Sequence, residues 1–240
     1  MGRTLDWNLL DRLGARANID IYLTQEFHTG NLTFTCSAWK RALNLREPIC
    51  KELVIEFIAS YEFDEDTARR DSTSRPIKYR LGGQWQELSV VNLAVHLGLY
   101  IEEEVRHRAF QTFLDRCALW KSDQTNLSEI WAELGLGPFS APNTKVRRLK
   151  YPDHRVIHQM LVNTVHQRKS SHDKVDNIDL WLLEQIVNDN CFTNVPFVSA
   201  KMFIDARGYI KKSSLLFGQY ITRLTRSHGV LSERVVNSFT

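Results

Sequence analysis

Apolar side chains recur at three- and four-residue spacing through most of the chain, the period of a helix with one buried face. In PICKELVIEFIASYEF, Leu53, Phe57 and Tyr61 stand at i, i+4 and i+8 with Val54 and Ile58 beside them, and Pro48 suits a first helical turn. Val90, Leu93, Ala94 and Leu97 form a second stripe, with Ser89 as its cap and Gly98 as its stop. A longer helix is predicted over roughly 102–120, with Val105, Phe110, Phe113, Leu114 and Cys117 facing inward. Further helices are predicted near 127–134, 153–167, 178–188, 196–206 and 215–227. Gly218, inside the last of these, suits a close helix crossing or a kink.

Alternation by two interrupts this pattern at Ile77–Leu81 and Gln84–Leu88, which flank Gly82 and Gly83. A glycine pair before a helix can cradle a phosphate, but the glycines must then lead directly into the helix N-terminus. Here the five strand-like residues QWQEL intervene, so the pair is read as a hairpin turn that holds no ligand. Residues 34–43 read as helix or as a short strand, TFT, entering a helix, SAWKRAL. DEDTARRDSTSRP (64–76) reads as an exposed loop, and GLGPFSAPNTK as the best boundary between subdomains. The expected fold is mainly α: a multi-helix globular domain with one small β-hairpin. It is either a single domain or two helical lobes, with an N-terminal lobe over 34–134 holding the hairpin, a basic lobe over 145–231, and 1–33 as an extension.

At 240 residues, 43% hydrophobic and 25% charged, the chain is long enough to bury a sizeable core. No apolar run approaches the ~20 residues of a membrane span, and the opening MGRTLDWNLLDRLGARANIDIYL lacks a signal peptide's apolar block. The expectation is an intracellular protein, cytoplasmic or nuclear, with no membrane partner. Cys36, Cys50, Cys117 and Cys191 lie far apart without CxxC spacing and read as reduced thiols.

Net charge is +3 but unevenly placed. Residues 1–120 hold 15 Lys and Arg against 17 Asp and Glu, net −2; residues 121–240 hold 16 against 11, net +5. The excess gathers at Lys145, Arg147, Arg148, Lys150, Arg168 and Lys169, and again at Lys211, Lys212 and Arg223, where Phe203, Tyr209, Phe217 and Tyr220 are interleaved. Basic groups among exposed rings suit RNA or DNA. The same pattern is also that of solvated helix faces with their rings in the core.

Motifs for chemistry are sparse. His154 and His158 are i, i+4 neighbours, but RVI separates them where an HExxH site needs a glutamate, so they read as packed or surface histidines rather than metal ligands. Glu102, Glu103 and Glu104 complement a helix N-terminus, with Glu102 placed to pair with Arg106. There is no GxSxG, GxGxxG or Walker loop. No catalytic residue, cofactor, metal or small-molecule ligand is predicted, which favours binding or assembly.

Three blocks, RLGGQWQELSVVNLAVHLGLY, YPDHRVIHQMLVNTVHQR and LLFGQYITRLTRSHGVL, resemble in this order the Athila-type first open reading frame of plant gypsy-class LTR retrotransposons, a group described as plant transposon proteins. The lead-in WKRALNLREP with the helix ending IASYEF fits as well, so the resemblance spans roughly 34–231. It implies a retroelement protein in the Gag position, engaged in coat or ribonucleoprotein assembly, that associates with itself or with its own RNA. It carries over no catalytic residues. A full Gag's CxxC zinc knuckle is missing from the sequence. A hairpin feeding a capped helix is also similar to the plant mobile domain, which implies the alternative of a transposon-derived nuclear DNA- or chromatin-associated adaptor.

Overall fold

The computed structural model describes residues 7–12, 14, 16–71, 74–120, 125–141, 143–168, 171–189, 191–210 and 216–231. The fold is mainly α-helical with small antiparallel sheets. In chain order the elements are α1 (Trp7–Arg12), α2 (Arg16–Tyr22), β1 (Gln25–Thr29), β2 (Leu32–Cys36), α3 (Ala38–Leu43), α4 (Lys51–Ser60), β3 (Glu62–Phe63) and α5 (Glu65–Arg70). There follow β4 (Ile77–Leu81), β5 (Gln84–Leu88), α6 (Val90–His96), α7 (Glu102–Val105), α8 (Phe110–Arg116) and α9 (Leu127–Leu134). After a 3-10 turn at Val146–Arg148 come α10 (Pro152–Asn163), α11 (Asn177–Val187), α12 (Val195–Ile210) and α13 (Gly218–Ser227).

The chain divides into two compact units that interleave along the sequence: Met1–Leu43 with Arg108–Asn194, and Asn44–His107 with Val195–Thr240. The Gly/Pro-rich segment near 135–145 lies inside the first unit.

In the first unit, β1 and β2 form a hairpin turned at Gly30 and Asn31, with Phe27 opposite Phe34. Both rings are buried against Phe113, at centroid distances of 5.9 and 4.9 Å. Gln25 ties this hairpin to the far end of α11 by donating to the carbonyls of Gln185 (3.1 Å) and Cys191 (2.9 Å). The expectation of a strand TFT entering a helix is met by β2 and α3. The partner strand β1 falls in the segment read as an extension. Its signal is modest, one buried apolar residue, Phe27, beside the two-residue turn.

In the second unit, β4 pairs with β5 in the expected register, Leu81 opposite Gln84, and the short β3 adds a third strand. Ser89 accepts from Asn92 N (3.1 Å) and caps α6, whose Val90, Leu93 and Ala94 are buried. The core is aromatic: Phe57 lies 4.8 Å from Tyr79, 5.0 Å from Tyr61 and 5.4 Å from Phe203, and Phe203 lies 5.2 Å from Phe217. Such ring pairs add about 0.5–1.5 kcal/mol each beyond burial. Gly218 allows α13 to approach Ile49, since a Cβ there would meet Ile49 Cγ2 at 2.6 Å. Gly218 is the first residue of α13 rather than an interior one, and Ile49 lies outside any helix, so the contact is neither the helix crossing nor the kink expected.

Several boundaries differ from expectation. Residues 64–76 do not form a continuous loop, because Asp64 accepts from Thr67 N (3.0 Å) and starts α5, which buries no side chain. The helix expected over 102–120 is two, α7 and α8, broken at 106–109 where RHR offers no apolar side chain to hold a buried face. Pro48 precedes α4 rather than opening it, since Cys50 is still extended. Finally α10 ends at Asn163, four residues early. There Asn163 and Thr164 bond back to the carbonyls of Gln159 and Met160, and the chain turns toward α11.

Candidate functional site

Among the described residues, the densest cluster of chemically capable side chains is in the first unit, at the start of α11. Asp176 is its N-cap and accepts from Asp179 N (2.9 Å), while Asp179 accepts from Asp176 N (3.1 Å). This reciprocal capping places two carboxylates at the positive end of the helix. Asp179 is fully buried, and a buried carboxylate needs compensating donors. His158 Nε2 on α10 lies 3.2 Å from Oδ2, Arg168 Nη2 lies 2.7 Å from the same oxygen, and His166 Nδ1 lies 2.8 Å from Oδ1. A carboxylate that only accepts requires a proton on each facing ring nitrogen, which sets both histidine tautomers. Burial alone would raise the Asp179 pKa; the hydrogen bonds from His158 and His166 outweigh it and hold the carboxyl far below its usual range.

Ligand atoms of His166, Asp176 and Asp179 lie within 4.8 Å of one another, a spacing compatible with a metal ion. Arg168 competes for that role. Its guanidinium bridges both carboxylates, at 3.2 Å to Asp176 and 2.7 Å to Asp179, so a fixed cation already balances them. Three donors converge on Asp179 Oδ2 and one on Oδ1, and the carboxylate is fully buried, so neither oxygen faces solvent to act as a base. His154, the other histidine of the predicted pair, packs edge-on against Tyr22 and Tyr151 at 5.9 and 4.9 Å.

Two further clusters occupy the second unit. The Gly82 and Gly83 N–H groups, at φ +58° and +79°, do hold an anion: the carboxylate of Glu56 from α4, at 2.8 and 2.9 Å, with Arg80 Nε at 3.0 Å. Consecutive N–H groups in left-handed conformation form an anion-binding concavity, and here the protein fills it with its own side chain. His96 and His228 stack with centroids 4.3 Å apart, and the Tyr79 hydroxyl lies 2.7 Å from His228 Nε2. Burial, and then the neighbouring His96, push His228 down to about 4. Burial keeps Tyr79 protonated, so Tyr79 donates and His228 accepts.

Of the nine basic positions singled out in the sequence, Lys145, Arg147, Arg148, Lys150 and Arg168 belong to the first unit and Arg223 to the second. Lys169, Lys211 and Lys212 lie outside the described residues. Lys145 pairs with Asp173. Lys150 Nζ donates to the carbonyls of Ala132 (2.7 Å) and Glu133 (2.8 Å), capping the C-terminus of α9. Arg168 belongs to the Asp179 network, and Arg223 lies 2.5 Å from the buried Glu47, which Arg226 also approaches to 3.1 Å. Arg147 and Arg148 are exposed, with no side-chain bond to any described residue. Among the interleaved rings, Phe203, Phe217 and Tyr220 are buried core and cannot stack on bases, while the Tyr209 side chain is outside the described set.

Glu56, His228 and the Asp176–Asp179 pair went unrecognised in the sequence. Asp-Asn-Ile-Asp before an apolar run carries a capping-box signal; Glu56 carries none, because its partners are 26 and 27 residues away. No family model matches this chain, and neither a curated protein nor a solved structure matches it.

Proposed function

We propose that this chain is a non-catalytic assembly protein of the plant LTR-retrotransposon kind, in the Gag position, which associates with itself and binds RNA weakly through charge. One observation supports the non-catalytic part: among the described residues the best-formed acid–base cluster, around Asp179, is fully buried and held by His158, His166, Arg168 and its own helix cap. A general base needs a lone pair that substrate can reach and a pKa near the working pH, and the buried Asp179 has neither. The retroelement assignment rests on the three ordered sequence blocks, which correspond to β4–β5–α6, α10 and α13. That hairpin and capped helix also supports the second reading, a nuclear chromatin-associated adaptor of the plant mobile domain type.

Light-scattering mass measurement after size-exclusion, with and without RNA, tests the choice. Assembly predicts a mass of several chains that rises when RNA is added. A monomer whose mass RNA leaves unchanged would overturn this reading in favour of the adaptor.

A further inference from the structure

We infer that the strap running from the Val146–Arg148 turn to Tyr151 is a binding site for single-stranded nucleic acid, with Arg147 and Arg148 on phosphates and the Tyr151 ring under a base. The inference rests on the RNA-binding part of the proposed function and gives it a location and a mode.

The turn's own geometry sets the arginines outward. A 3-10 turn repeats every three residues, and Val146 and Leu149, three apart, are both buried. The two residues between them must face solvent, and both are exposed. Each neighbouring cation has an internal partner: Lys145 pairs with Asp173, Lys150 caps α9, and Arg155 donates to the Leu149 carbonyl at 3.0 and 2.7 Å. Charge is not thereby cancelled. Residues 145–155 carry five basic groups, and with Asp153 and Asp173 as counter-charges the strap keeps net +3. Arg147 and Arg148 are the two whose donors remain free for a phosphate.

The strap is fixed before any ligand arrives. Val146 N donates to the Asp173 carbonyl (2.9 Å), the Arg148 carbonyl accepts from Leu136 N (2.9 Å), and Lys150 N donates to the Leu134 carbonyl (2.9 Å). Main-chain bonds on both sides of the turn lower the ordering cost of binding. Three residues after Arg148 stands Tyr151, 56% exposed, its ring held against His154 at 4.9 Å. An exposed, supported ring within four residues of unpaired arginines is a combination suited to single strands, because a base in a duplex is not available to stack. An acidic peptide would use the arginines without needing a ring face, and an anionic bilayer, where a tyrosine also sits favourably, is distinguished by vesicle binding.

Fluorescence anisotropy with a labelled 20-nucleotide poly(U) RNA, the matching poly(dT) and a duplex of equal length tests this on the full chain. R147E/R148E should weaken poly(U) binding by tenfold or more at low salt and reduce the salt slope by about 1.4, roughly 0.7 for each single-strand phosphate no longer neutralised. Y151A should weaken both single strands by about tenfold with the slope unchanged, Y151F should bind normally, and the duplex should be insensitive to Tyr151. R12E, exposed at the end of α1, is the charge control and should bind as wild type. Circular dichroism should be unchanged in all variants. The site is wrong, with the functional reading intact, if wild type binds RNA and R147E/R148E binds within twofold of it. It is also wrong if Y151A weakens duplex and single strand alike, or if phosphatidylserine vesicles bind through the same arginines better than RNA does. Absence of any RNA binding by wild type overturns both.

Discussion

Two side chains in this protein both lose their stabilising contribution in acid, but in different pH windows. His228 is held neutral, pushed down to about 4 from an ordinary 6.5 by burial and by His96. Between those values the unfolded chain binds the proton and the folded chain does not, so stability is complete above pH 6.5 and declines as pH falls toward 4. Asp179 is depressed below its ordinary 3.8. Its contribution therefore persists through that window and is lost only as pH drops further. Thermal unfolding by circular dichroism from pH 8 to 3 should show a gradual fall in Tm beginning near 6.5 and a steeper one below about 4. H228Q should flatten the first part and leave the second. A wild-type Tm constant from 6.5 to 4.5, or an H228Q profile as steep as wild type, would refute the assignment.

The hairpin β4–β5 and helix α4 stabilise each other through an interaction that neither has alone. Glu56 offers two oxygens to the Gly82 and Gly83 N–H groups and to Arg80. Charge-assisted bonds of this kind are worth about 1.5–3 kcal/mol each when removed from a protected site, and the partial exposure of this one favours the low end. E56Q, keeping the shape and removing the charge, should lower the urea midpoint by the equivalent of about 1–2 kcal/mol. G83V should cost a similar ~1–2 kcal/mol from its left-handed backbone alone, since nothing crowds a Cβ there. Additive losses in the double variant would deny that turn and carboxylate act together. The elements legible in the sequence are those whose cause is local: the strands around the glycine pair, the Ser89 cap and the stripe of α9 all stand where their own residues place them. Where a distant partner intervenes, local pattern misleads. The period of α10 runs on past Asn163, yet His166 and Arg168 turn back to reach Asp179, a residue whose burial no spacing announces.

Across the whole molecule, periodicity reports faces but not which faces meet, so the interleaved units were not legible. Phe57 and Phe203 belong to one aromatic core although residues 108–194 of the other unit lie between them. Cutting the chain after His107 should therefore leave neither fragment with a complete core. Each fragment alone should lack a cooperative thermal transition by circular dichroism, and a sharp transition in either would contradict the division. The same interleaving sets an order of events on the ribosome. The segment 44–107 leaves the tunnel carrying Phe57, Tyr61 and Tyr79, buried in the finished protein, but Phe203, Phe217 and Tyr220 follow only after residues 108–194 are made. At ~5–20 residues per second that is a delay of roughly 4–17 s, during which an aromatic surface waits uncovered. Its yield should therefore depend on chaperone capacity, and slow codons within 108–194 should lower that yield more than slow codons elsewhere.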